Sequence, residues 1–188
     1  MKVATLGPKY TDSFRSAEYW IDTRGVDGCE IVGYQSFESL FDNLECSDYV
    51  IMPMGYTNRD SSEFMGWVDY HFFFEKLLDT QEIYLLPTKE MALVENTSYK
   101  KEGVVLQSAT YQFARSSLDL DKRQYVYESS KVKAFNKFID EEYHYVICSV
   151  DICQQEKKKK NLSLKIIKNF SPVMSWIVYK VNLSKGKE

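Results

Sequence analysis

Residues 1–20 read MKVATLGPKYTDSFRSAEYW, an apolar run that breaks at Gly7-Pro8 and restarts as a helix with hydroxyls at its mouth. Lys2–Leu6 has strand character because Val3 and Thr5 are β-branched, and Gly7-Pro8 must stop it, since proline cannot donate to a ladder. From Asp12 onward Phe14, Ala17 and Ile21 share one helical face with Trp20 beside them, and Thr11, Asp12 or Ser13 can cap the first turn. A strand, a tight turn and a helix N-terminus leave amide N–H groups unpaired beyond the strand's end, a geometry that suits an anion. The same pattern also serves an ordinary capped connection between strand and helix.

This grammar recurs. Glu30–Gly33 is a short strand candidate, and Phe37, Leu40, Phe41 and Leu44 take the spacing of a helix begun at Ser36. Tyr49–Pro53 (YVIMP) is a continuous apolar run ended by proline, as in strands buried on both faces, and up to this point the sheet reads as parallel. Met54–Gly66 (MGYTNRDSSEFMG) has no periodicity and is long for a connection, which marks a functional or a disordered loop. Trp67–Leu78 reads as a helix, and Glu82–Leu86 and Met91–Glu95 as strands. Strand Gly103–Gln107, junction Ser108–Thr110 and a helix through Phe113, Ala114 and Leu118 repeat the opening. Strand Arg123–Tyr127, junction Glu128–Ser130 and a helix through Val132, Phe135 and Ile139 repeat it again, before strands at Tyr145–Val150, Leu162–Ile167 and Ser175–Val181. Alternating strands and helices predict an α/β fold. Three junctions carry hydroxyls: Thr11 and Ser13, Ser108 and Thr110, Ser129 and Ser130. Ligands of open α/β sheets lie beyond the carboxyl ends of the strands, so several such helix N-termini suit a ligand with more than one negative group, although Ser and Thr also cap helices with no ligand at all.

A chain of 188 residues, 44% hydrophobic and 15% aromatic, can bury the core of one large domain or two small lobes. No apolar run approaches bilayer-spanning length and the N-terminus is a strand instead of a basic segment with an apolar signal region, so a cytoplasmic protein without a membrane partner is expected. Cys29, Cys46, Cys148 and Cys153 show no CxxC spacing and have mostly apolar neighbours, which favours reduced buried thiols over disulfides or a zinc site. Two histidines, His71 and His144, are too few for a multi-histidine centre; each is expected as a surface or packing residue, and no metal or other cofactor is expected. A net charge of −3 without a basic stripe argues against nucleic acid. The charge run Glu156–Asn161 (EKKKKN) reads as a solvated turn between a helix and a strand.

Taken in order, these features resemble the catalytic domain of prephenate dehydratases, and more closely the prephenate decarboxylases of bacilysin biosynthesis. The family's Gly-Pro-x-x-Thr is matched by Gly7-Pro8-Lys9-Tyr10-Thr11, its apolar strand ending in proline by YVIMP, the serine of its next junction by Ser108, and the end of the decarboxylase by Ser171–Trp176 (SPVMSW). The resemblance covers nearly the whole chain. It implies the two-lobed fold of type II periplasmic binding proteins, with a first lobe of about 1–78 and 157–188, a second of about 79–156, and a dicarboxylate substrate, prephenate or a relative, between them. A homodimer is compatible with it.

The departures carry more than the matches. Where dehydratases have Glu-Asn-Ser after the strand's proline, this chain has Met54-Gly55-Tyr56, and where they have Thr-Arg-Phe it has Met174-Ser175-Trp176. That threonine is regarded as the acid that helps the ring hydroxyl leave, and methionine has no proton to give. The chain also stops soon after its last strand, without the regulatory ACT domain common in dehydratases. The resemblance therefore implies a lyase of a specialised pathway, making an antibiotic or a modified amino acid by non-aromatising decarboxylation of prephenate to a dihydro-4-hydroxyphenylpyruvate. A residual dehydratase giving phenylpyruvate, with Tyr56 or Ser175 as donor, and a non-catalytic module that binds small anions are the alternatives. The binding residues expected on this resemblance begin with Gly7, Thr11, Ser13, Pro53 and Met54, with Arg59 as a carboxylate clamp. Ser108, Ala109, Thr110 and Ser129 follow from the middle of the chain, then Met174 and Trp176, with Trp67 and Trp176 as apolar wall.

Overall fold

The computed structural model describes residues 1–25, 28–58, 66–118, 124–128, 130–160 and 163–184, with the backbone alone at 159 and 160. The chain divides into two units, Met1–Thr88 with Val173–Glu188, and Lys89–Pro172. Each is built on a mixed five-stranded sheet with helices, the α/β architecture that the alternation of strand and helix predicts.

The first unit contains β1 (Lys2–Leu6), α1 (Asp12–Arg24), β2 (Glu30–Tyr34), α2 (Phe37–Phe41), β3 (Tyr49–Pro53), α3 (Trp67–Phe73) and β4 (Leu78–Pro87). The chain's last strand, β10 (Val173–Val181), returns to complete the order β2-β1-β3-β10-β4. β1 is parallel to β2 and β3, whereas β10 is antiparallel to both β3 and β4. Successive residues of the central strands face opposite sides. Val3, Ile51, Trp176 and Val178 pack with Ala17 and Trp20 of α1, while Ala4, Val50, Met52, Ile177 and Tyr179 pack with Phe37, Leu40 and Phe41 of α2 and Tyr70 of α3. Both faces are covered, and this is why β3 reads as an unbroken apolar run.

The second unit contains β5 (Met91–Asn96), β6 (Lys101–Gln107), α4 (Tyr111–Arg115), β7 (Tyr125–Glu128), α5 (Lys131–Asp140), β8 (Tyr143–Ser149), α6 (Val150–Lys160) and β9 (Leu164–Phe170), in the sheet order β7-β6-β8-β5-β9. β6 is parallel to β7 and β8, and β5 is antiparallel to β8 and β9. Ala134, Phe135 and Phe138 of α5 and Cys153 of α6 cover one face, and Ala114 of α4 the other.

Several expectations need correction. The helix expected over Trp67–Leu78 ends at Phe73, and β4 begins at Leu78. β4 joins the first unit because it pairs along the whole of β10, and because its Glu82 takes a hydrogen bond from Trp20 Nε1 at 3.1 Å and an ion pair from Arg24. The units accordingly change over at Thr88/Lys89 and Pro172/Val173, later in the chain than about 78/79 and 156/157. Glu156–Lys160, expected in a turn, continues α6, where glutamate and lysine are good helix formers, and Lys157 Nζ donates to Leu164 O at 2.8 Å. Cys148 and Cys153 are buried free thiols, but Cys29 is half-buried and Cys46 exposed. No helix among the described residues is long and apolar enough to cross a membrane.

Candidate functional site

Because β1 and β3 run the same way and β10 runs against β3, the carboxyl ends of β1 and β3 and the amino end of β10 share one edge of the first sheet. That edge brings together Met54–Tyr56 and Met174–Ser175, the two segments that depart from the dehydratase pattern. Met54 N donates to Ser175 O at 3.0 Å, and Trp176 lies opposite Pro53 in the register. Gly7 follows β1 at the same edge, where a Cβ would stand 3.2 Å from the backbone of Gly33, so only glycine fits without a shift.

Thr11 is the N-cap of α1: its Oγ1 accepts from Phe14 N at 3.2 Å and donates to Leu6 O at 3.0 Å. The hydroxyl proton is thus already used on the strand's last carbonyl, leaving the oxygen as an acceptor. Ser13 and Trp176 are buried, and the Trp176 indole N–H has no hydrogen-bond partner among the described residues. Met174 is half-buried against the α1 side of the sheet. Trp67 opens α3, donating from Nε1 to Tyr179 Oη at 2.8 Å and stacking on His71, whose Nδ1 lies 2.8 Å from the same hydroxyl. Burial pushes the Tyr179 phenol up to about 12, with the Trp67 hydrogen bond opposing.

A polar cluster that sequence reading did not find lies between α2 and the segment after β3. Asn58 Nδ2 donates to Glu38 Oε1 at 2.6 Å. Burial opposes the Glu38 charge, but its own backbone N–H together with Asn58, Ser36 and Tyr70 outweighs burial and holds the carboxyl below the usual range. Tyr56 stands edge-on against Phe37 at 4.6 Å and tilted toward Tyr70 at 6.2 Å. Burial, and then the Glu38 charge, push the Tyr56 phenol well above its ordinary value against a hydrogen bond from Asn58, so it keeps its proton at neutral pH. The only trace in the sequence is an acid in the first turn after a serine cap, Ser36-Phe37-Glu38, an arrangement found in many helices without function.

In the second unit Ser108, Ala109 and Thr110 form a single 3₁₀ turn at the carboxyl end of β6. Thr110, buried, donates from Oγ1 to Gln107 O at 2.7 Å; Ser108 is half-buried and Ala109 exposed. Ser130 caps α5 by accepting from Lys133 N at 3.1 Å, and Lys131 places its ammonium 3.6 Å from Met91 Sδ. Arg59 and Ser129 lie outside the described residues. Both histidines are packing residues, His144 being stacked between Tyr99 and Tyr145 at 3.6 and 3.8 Å. Among the described residues no group of three or more His, Cys, Asp and Glu side chains could hold a metal ion.

Solved structures share this fold. Prephenate dehydratase from Arthrobacter aurescens, in complex with L-Phe, gives a TM-score of 0.58 at 15% identity over 97% of this chain and 61% of that one. A periplasmic His/Glu/Gln/Arg/opine family-binding protein from Silicibacter pomeroyi, in complex with lysine, gives 0.51 at 15% identity over 99% and 84%. The periplasmic VFT2 domain of Bordetella pertussis BvgS gives 0.55 at 15% identity over 96% and 80%. At such identities the likeness establishes the fold, shared by prephenate dehydratase domains and periplasmic binding proteins, and this chain spans 61% of the dehydratase's length. No family model matches the sequence, and no curated protein is similar to it.

Proposed function

We propose that this chain is a lyase acting on prephenate or a close relative, removing CO₂ without making the ring aromatic. The observation supporting this reading is the meeting of Met54 with Met174-Ser175 at one sheet edge, Met54 N to Ser175 O being 3.0 Å. These are the positions where the dehydratase pattern has glutamate and threonine, and neither methionine can protonate a departing hydroxyl. An apolar surface there also disfavours a carboxylate more than the charge-dispersed transition state of its loss. In the reaction the bond between ring and carboxylate breaks, CO₂ leaves, the electron pair moves into the diene, and a ring carbon takes one proton while the hydroxyl stays. Tyr56, half-buried on the same edge with its proton retained, is the candidate donor.

NMR of the products formed from prephenate tests this directly, with a hydroxylated dihydro-phenylpyruvate as the expected signal. Phenylpyruvate above the spontaneous background would make the chain a dehydratase. Prephenate that is bound but unchanged would make it a binding module, a reading favoured by the likeness to a lysine-bound periplasmic protein. Met174→Thr with Ser175→Arg, which restores the dehydratase pattern, is expected to raise the fraction of phenylpyruvate.

A further inference from the structure

We propose that the indole N–H of Trp176 is a hydrogen-bond donor to the ligand, received by the pyruvyl carboxylate of prephenate or its relative; this rests on the reading of the chain as a lyase of that substrate. The protein has three tryptophans, and the fold itself uses two of their N–H groups: Trp20 Nε1 donates to Glu82 Oε2 at 3.1 Å and Trp67 Nε1 to Tyr179 Oη at 2.8 Å. Trp176 is the exception. It is 1% exposed, and its N–H meets no acceptor among the described residues. Its cluster is apolar, with Ala17 of α1, Ile51 of β3 and Leu86 of β4 among its members, and Tyr84, opposite it on β4, donates its own hydroxyl to Ser16 O at 2.9 Å. A buried donor left unpaired costs stability, whereas phenylalanine, which the dehydratase pattern has here, carries no such cost. Tryptophan thus adds a donor that the fold does not use.

Its place in the sheet and the chemistry of the substrate assign the use. Trp176 lies opposite Pro53, at the edge where Met54 meets Ser175. Two residues nearer the start of β10, on the same face, Met174 is half-buried against the same cluster. An unbranched methionine side chain is the movable part of that wall. An oxygen that enters past it meets the N–H in apolar surroundings, where a hydrogen bond is strong and a ligand without the acceptor is rejected. A donor on the ring carboxylate would hold the charge that has to leave as CO₂, and a donor on the ring hydroxyl would help to expel it. The pyruvyl carboxylate takes no part in bond breaking and can be held throughout.

Benzothienylalanine in place of Trp176 puts sulfur where the N–H was and keeps the shape of the ring. Without ligand, the urea midpoint is expected to hold or rise, since an unpaired donor has been removed; a lower midpoint would mean that the N–H is already paired inside the protein and overturns the proposal. With prephenate, KM, or Kd if prephenate is bound unchanged, is expected to rise by about ten- to a hundredfold, the loss of one hydrogen bond to a charged group, while kcat changes little. An unchanged KM, or a loss confined to kcat, overturns it. The indole ¹H–¹⁵N signals give a second reading. Trp20→Phe and Trp67→Phe identify two of them, and saturating prephenate is expected to move the remaining one downfield while those two stay. Prephenate that binds and leaves that signal in place refutes the donor role alone. Prephenate that does not bind at all defeats the proposed function and the donor role with it.

Discussion

Two strand-to-helix junctions of like composition are built differently. After β1, Thr11 accepts from Phe14 N and donates to Leu6 O, so a single hydroxyl both starts a helix of 13 residues and closes off the strand. After β6, Thr110 donates to Gln107 O within a 3₁₀ turn, and the 5-residue α4 that follows has no side-chain cap. In both, the hydroxyl proton goes to a strand-end carbonyl before any ligand is considered. Junction hydroxyls of this kind therefore report local backbone satisfaction first.

That contrast can be tested by breaking each junction in turn. The largest loss is expected for Gly103→Ala at the base of β6, where φ is +128° and a Cβ would meet Gln124 O at 2.7 Å. Left-handed strain of this kind costs about 3 kcal/mol, read as a shift of the urea midpoint. Thr11→Val comes next at about 2 kcal/mol, since a cap is lost and the Leu6 carbonyl loses its partner. Thr110→Val, with one hydrogen bond and no cap at stake, is expected to cost about 1 kcal/mol. Equal losses for the two threonines would erase the distinction. The smallest effect near neutrality belongs to Tyr84 and Tyr179, both in the first unit and both raised by burial to about 12 from 10.0. A raised phenol holds its proton more tightly in the folded state. This contribution is complete below pH 10 and is lost as pH rises toward 12. Urea midpoints measured across that range should fall less steeply in Tyr84→Phe than in the wild type.

How much of this was legible varied with burial. β1 and β3 could be read to the residue because β-branched Val3 and Thr5 mark the one, an unbroken apolar run marks the other, and Pro8 and Pro53 bound them. β4 was read only in part, since an edge strand needs no continuous apolar pattern: Ile83 and Leu85 remain 54% and 65% exposed. α6 was read short because its run of lysines resembles a turn, while few of its residues, Val150 and Cys153 among them, meet the core. At the site Thr11 was legible as a cap, a local property. The bond between Glu38 and Asn58 was not, because it joins a helix to a segment 20 residues away and depends on where β3 delivers the chain.

The place of β10 in the first sheet has a consequence for birth on the ribosome. β4 pairs only with β10 in that sheet, and β10 is separated from it by the whole of Lys89–Pro172. At about 5–20 residues per second, β4 waits several seconds for its neighbour, with both edges open and its aliphatic residues uncovered. The second unit is contiguous and has all its strands by Phe170. Assembly therefore inverts synthesis, the middle of the chain closing its sheet before the beginning can.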